Sequence, residues 1–109
     1  MATVLVVDDE PGVCAAFRRM LERGGHEVLI ASSAEEGLRV LEVEEPDLVF
    51  LDVRLPGLSG LGALGEIRRA GRDTTVVVMT AHGDMETAVE AMRLGAWDYL
   101  AKPLDVPQL

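Results

Sequence analysis

The sequence predicts an α/β fold, a doubly wound parallel sheet with helices on both faces. Three observations lead there. Five short apolar runs rich in β-branched residues recur along the 109 residues. Stretches with helical spacing of apolar residues separate them, and Gly, Pro or acidic residues mark most junctions. Strands that alternate with helices in this way form parallel sheets whose faces the helices cover. A chain of this length is one domain, large enough to bury a single core.

TVLVVDD at 3–9 reads as a first strand buried on both faces. Pro11 suits the first turn of a helix, with Asp9 or Glu10 as its cap. In that helix Val13, Phe17, Met20 and Leu21 recur at helical spacing, and Gly24-Gly25 ends it. EVLIA at 27–31 is the second strand. Ser33 and Glu36 have capping-box spacing and open a helix with Leu38 and Leu41 inward. Pro46 precedes the third strand, DLVFLD at 47–52, and the Pro-Gly content of 53–60 makes it a loop. A third helix is expected from about Leu61 to Ala70, weakened by Gly62 and Gly65. TTVVVMT at 74–80 is the most strongly β-branched strand. Beyond Gly83, residues Met85, Ala88, Val89 and Met92 mark one face of a fourth helix, which Gly95 ends. WDYLA at 97–101 is the fifth strand, and Asp105 would cap a fifth helix that the sequence stops short of completing. The expectation is therefore a C-terminally truncated domain.

Composition narrows the function. The net charge of −9 argues against direct nucleic-acid binding and against anionic membranes. No apolar run approaches the length of a signal peptide or a membrane span. The single cysteine, Cys14, cannot form an internal disulfide, which fits a reducing cytoplasm.

In a doubly wound sheet, ligands bind beyond the carboxyl ends of the strands. There the sequence places Asp8 and Asp9 after strand one, Asp52 after strand three, Thr80 and the small Ala81 after strand four, and Lys102 and Pro103 after strand five. Clustered carboxylates resist ionisation unless a cation joins them, and a hard divalent ion such as Mg²⁺ accepts an all-oxygen ligand set. One carboxylate could then act as a nucleophile toward a phosphoryl group, whose oxygens a hydroxyl and an ammonium would neutralise. Lys102 is the only lysine beside nine arginines. Its compact charge suits a narrow site better than a planar guanidinium. Taken singly, Asp8-Asp9 would serve as a helix cap, Asp52 as a turn residue, Thr80 as a strand residue and Lys102 as a surface lysine; the joint pattern is what points to chemistry. His26 and His82 stand alone, and Arg18, Arg19, Arg68 and Arg69 read as a solvated face.

VLVVDDE (4–10), DLVFLDVRLPGLSG (47–60), VVVMTAHGD (76–84) and GAWDYLAKPLD (95–105) together resemble, in order, the signatures of receiver domains of two-component response regulators. The resemblance covers residues 1–109 almost throughout. It implies a flavodoxin-like five-stranded parallel sheet of order 2-1-3-4-5 with five helices, the fifth truncated here. It further implies that Asp52 is the phosphoacceptor. Asp8, Asp9, Asp52 and the backbone carbonyl of Arg54 would bind Mg²⁺ (Mn²⁺ also fits), while Thr80 and Lys102 would bind phosphoryl oxygens. Thr80 and Tyr99 take the switch positions, Pro103 matches a proline preceded by a cis peptide, and Arg54 and His82 take positions that tune the lifetime of the acyl phosphate.

The implied function is a cytoplasmic, non-enzymatic phosphoacceptor. It would take its phosphoryl group from a sensor histidine kinase and switch a surface of helix four and strand five, about 83–101. That surface would drive homodimer contacts or a transcriptional output domain lying outside this sequence. The stretch from Met79 to Pro103 is similar to receivers of NtrC-like and FixJ-like regulators. The alternatives are a receiver-like interaction module that takes no phosphate, a haloacid-dehalogenase-like phosphatase and a flavodoxin-like cofactor module. The phosphatase wants a second aspartate where Arg54 stands, and the cofactor module wants a Ser/Thr/Gly phosphate loop where DDEPG stands.

Overall fold

The computed structural model of the chain describes residues 2–81 and 84–102. His82, Pro103 with the cis peptide expected before it, and the expected fifth helix with its cap at Asp105 lie outside the described residues. Nine elements alternate along the described residues: β1 (Thr3–Val7), α1 (Pro11–Arg23), β2 (Glu27–Ala31), α2 (Ala34–Glu44), β3 (Leu48–Asp52), α3 (Gly60–Arg69), β4 (Thr75–Ala81), α4 (Met85–Arg93) and β5 (Asp98–Lys102). The strands form one parallel sheet of order β2-β1-β3-β4-β5.

The sheet is buried from both sides. Leu5, Val7, Val49, Leu51, Val76 and Val78 pack with Ala34, Leu41, Leu64 and Ile67 of α2 and α3 and Ala91 of α4. Val4, Val6, Val28 and Met79 point the other way and pack with Cys14 and Phe17 of α1. Alternate residues of a strand face opposite sides, so both sets come from the same continuous apolar runs. On the sheet face that α1 also packs against, a groove of about 610 Å³ runs over β3, β4 and β5, lined by Leu48, Phe50, Val77, Leu100 and Trp97 among the described residues.

Several boundaries differ from the sequence reading, each for a local reason. β1 stops at Val7 because Asp8 Oδ1 accepts the Glu10 N–H at 2.9 Å and turns the chain, so Asp8 and Asp9 follow the strand. β3 begins at Leu48, since the Asp47 carboxylate accepts from Thr3 N. Ser59 accepts from Gly62 N and starts α3 at Gly60. A methyl at Gly60 would run into the Asp52 backbone, so glycine is what lets this helix start directly against β3. β5 is shifted by one residue and extends through Lys102, which pairs with Ala81. Ser33 caps α2 as expected, accepting from Glu36 N at 3.1 Å.

Two side-chain expectations fail. Ala88 and Ala91, not Met85, Val89 and Met92, face the sheet from α4. The small residues let the helix lie close, and the three larger ones are 59%, 46% and 42% exposed. Arg68 is not merely solvated: its guanidinium donates to the carbonyls of Gly95 and Arg72 and ties α3 to the turn after α4.

Leu64 is fully buried at the centre of the larger core. Leu64→Ala is expected to lower unfolding free energy by about 3 kcal/mol in urea titration. Ser33→Ala removes one helix cap and is expected to cost about 1 kcal/mol in the same measurement, with an unchanged denaturant slope.

Candidate functional site

The carboxyl edge of the sheet brings together most of the residues singled out in the sequence. Asp8 and Asp9 follow β1, Asp52 ends β3, and Lys102 ends β5. In register, Asp52 pairs with Met79, so Thr80 stands one residue beyond it on β4. Asp8, Asp52 and Thr80 are the only buried polar or charged side chains among the described residues. The strands carry them into the core because the apolar residues before them fix the register.

Lys102 Nζ is the centre of the site. It lies 2.8 Å from Asp8 Oδ2, 2.9 Å from Glu10 Oε1 and 3.1 Å from Asp52 Oδ2. Asp52 Oδ1 is fixed separately by the Arg54 N–H at 3.1 Å. Burial pushes the Asp52 carboxyl above its ordinary value, against the opposing pull of the Arg54 N–H and the Lys102 ammonium. At Lys102, burial lowers the pKa, but the pull of the Asp8, Glu10 and Asp52 carboxylates outweighs it, and the ammonium is held well above the ordinary lysine value. The charged ammonium form is therefore favoured at neutral pH.

Glu10 is the member of this group that the sequence reading left as a helix cap. It does hold the N-cap position of α1, but its side chain makes no cap bond and reaches Lys102 instead. Only the long-range pairing of β4 with β5 brings the two together, so local sequence carried no signal beyond the run DDE.

The arrangement fits a hard divalent cation. Asp8, Asp9, Glu10 and Asp52 each present a carboxylate oxygen, all within 4.8 Å of one another. The buried Asp8 Oδ2 accepts no hydrogen bond and is held only by the charge of Lys102. An oxygen-only donor set with one buried oxygen lacking a hydrogen bond suits Mg²⁺ or Mn²⁺.

Two other expected residues sit at the margin. The Arg54 side chain is 73% exposed and lies 3.2 Å from Asp84 Oδ2. Asp84 caps α4 through its other oxygen, which accepts from Thr87 N. These bonds hold the Asp84 carboxyl below its usual value, the Thr87 bond contributing most. Tyr99 is half-buried on β5, pairs with Val78 and packs against the larger core.

Comparison with known proteins agrees with this geometry. Residues 4–109 match the response regulator receiver domain family. The chain is 41% identical to regulatory protein AtoC of Escherichia coli over 97% of its length and 23% of AtoC. It is 44% identical to response regulator protein FleR of Pseudomonas aeruginosa over 99% of its length and 23% of FleR. Among solved structures it resembles NtrX from Brucella abortus, with a TM-score of 0.91 and 39% identity over 98% of this chain and 24% of NtrX. A response regulator receiver domain protein from Clostridium thermocellum gives 0.89 and 39% over 98% of this chain and 86% of that one. The chain thus spans about a quarter of the length of the curated relatives it matches. Matched along nearly its whole length in sequence and in fold, the chain belongs to the response regulator receiver domain family.

Proposed function

We propose that Asp52 is the phosphoacceptor of a two-component phosphorelay and that phosphorylation switches the surface formed by α4 and β5. The observation that carries this reading is the Lys102 ammonium, shared between the buried carboxylates of Asp8 and Asp52 at the carboxyl edge of the sheet.

A carboxylate oxygen of Asp52 bonds to phosphorus while the phosphorus–nitrogen bond of a sensor kinase's phosphohistidine breaks. The imidazole leaves with that electron pair. Burial makes Asp52 more basic than an exposed aspartate, which favours this attack once the carboxylate is ionised. Asp8, Asp9, Asp52 and the backbone carbonyl of Arg54 would hold Mg²⁺, with Mn²⁺ fitting the same oxygens. When bound, the ion offsets negative charge on the transferring phosphoryl group. Lys102 donates to a phosphoryl oxygen from one side and the Thr80 hydroxyl from the other. The residue does not act as an enzyme toward a separate substrate; the domain assists its own phosphorylation and dephosphorylation.

Movement of Thr80 toward the phosphoryl group makes room for the Tyr99 ring to turn inward. β4 and β5 carry these two residues and precede and follow α4 in the chain. The apolar face of α4, Met85, Val89 and Met92, is exposed and open to a partner. We assign to it the phosphorylation-dependent contact, either a homodimer or an output domain beyond this sequence. Similarity to AtoC, FleR and NtrX favours an NtrC-like over a FixJ-like regulator. A cytoplasmic location follows from the same reading. The acidic surface argues against nucleic-acid contact by this segment, and no helix among the described residues is long and apolar enough to cross a membrane.

Intact mass after incubation with Mg²⁺ and acetyl phosphate is expected to rise by one phosphoryl group, with no gain in Asp52→Asn. A folded parent that gains none would instead support an interaction module that takes no phosphate. Arg54→Ala is expected to change the phosphorylated lifetime severalfold, measured as loss of the phosphoryl mass after donor removal. An unchanged lifetime would limit Arg54 to its pairing with Asp84.

A further inference from the structure

The Lys102 ammonium has three N–H donors and three carboxylate neighbours. A phosphoryl oxygen arriving at Asp52 competes with these carboxylates for the ammonium, so transfer is eased when a neighbour yields. The three differ in their freedom to do so. The Asp8 side chain is fully buried, and its other oxygen holds the Glu10 N–H. Asp52 is the group that reacts, and its second oxygen is held by Arg54 N. The Glu10 side chain is 62% exposed, and Lys102 is its one hydrogen-bond partner among the described residues. The Glu10 backbone is anchored, because its carbonyl accepts from Val13 N and Cys14 N at the start of α1. The side chain can therefore swing away while the helix stays in place.

We propose that Glu10 is a positioning residue that occupies Lys102 in the unphosphorylated state and competes with the incoming phosphoryl group for it, and so slows phosphorylation of Asp52. The proposal rests on the receiver reading above. Release is plausible in energy because an exposed ion pair is weak, while the buried pair with Asp8 is costly to break. A carboxylate at this position also repels an anionic donor, which acts in the same direction. Glu10→Asp separates the two effects: it keeps the charge but is one methylene shorter and falls short of Nζ.

The test uses acetyl phosphate at Mg²⁺ concentrations shown to saturate each variant. The Asp52 oxygen bonds to phosphorus as the donor's phosphorus–oxygen bond breaks, and acetate leaves with the electron pair. Phosphorylation is expected to be severalfold faster in both Glu10→Gln and Glu10→Asp. An unchanged rate in Glu10→Gln overturns the proposal. A faster Glu10→Gln beside a parent-like Glu10→Asp also overturns it, because charge alone would then explain the effect. A second readout needs no phosphorylation. Lys102 is the only lysine, so its acylation by an amine-reactive ester can be followed by mass on a single peptide. Acylation is expected to be severalfold faster in both variants, and an unchanged rate overturns the positioning role. If the parent takes no phosphoryl group while acylation still responds, the phosphoacceptor reading fails and the tie between Glu10 and Lys102 stands.

Discussion

Everything at the carboxyl edge of this sheet depends on one partly buried cation. Asp8 and Asp52 are carried into the core by strands that are apolar up to the residue before each acid. Two carboxylates so placed repel each other and lose their hydration, and either effect alone would favour protonation. Lys102 stands 2.8 Å from Asp8 and 3.1 Å from Asp52, and at Asp52 its charge opposes the effect of burial without overturning it. It can do so only because β5 is the fifth strand in a parallel sheet and its last residue reaches the level of Ala81 on β4. Sheet register is thus part of the electrostatics: a slip of one residue would turn the ammonium to the opposite face.

The same edge is linked to α4 by a chain of polar contacts. Asp52 Oδ1 accepts from the Arg54 backbone, the Arg54 guanidinium meets Asp84, and Asp84 holds the first turn of α4 through Thr87 N. The guanidinium is exposed, so its pair with Asp84 contributes little to stability. Weak contacts of this kind can exchange without unfolding the helix. The core face of α4 is equally spare, resting on Ala88 and Ala91 rather than on large side chains. A helix held by small residues and an exposed ion pair is suited to shifting as a unit.

Sequence alone carried the layout well. Alternating apolar runs and helical spacings were enough for the fold class and for the strand ends where Asp8, Asp52, Thr80 and Lys102 sit, because in parallel sheets both signals are local and strong. What was not legible depended on packing between distant segments. Periodicity grouped Met85, Val89 and Met92 with Ala88, yet it cannot say which side of a mixed apolar helix meets the sheet, and the smaller residues took that side. Arg68 looked like a surface charge until Gly95 came within reach of it. Glu10 had the position of a helix cap, and only the return of β5 beside β4 offered its carboxylate a better partner.

Trp97 gives the groove on the α1 side of the sheet a further meaning. It is the only tryptophan in the chain, it is 69% exposed, and it stands at the beginning of β5. At about 3.3 Å per residue, the length of that strand separates it from Lys102 by roughly 16 Å. Whatever covers the groove beside Leu48, Phe50 and Leu100 removes water from the indole. The chain therefore carries its own optical gauge of that sheet face, one whose emission colour reports cover at the end of β5 remote from the acidic edge.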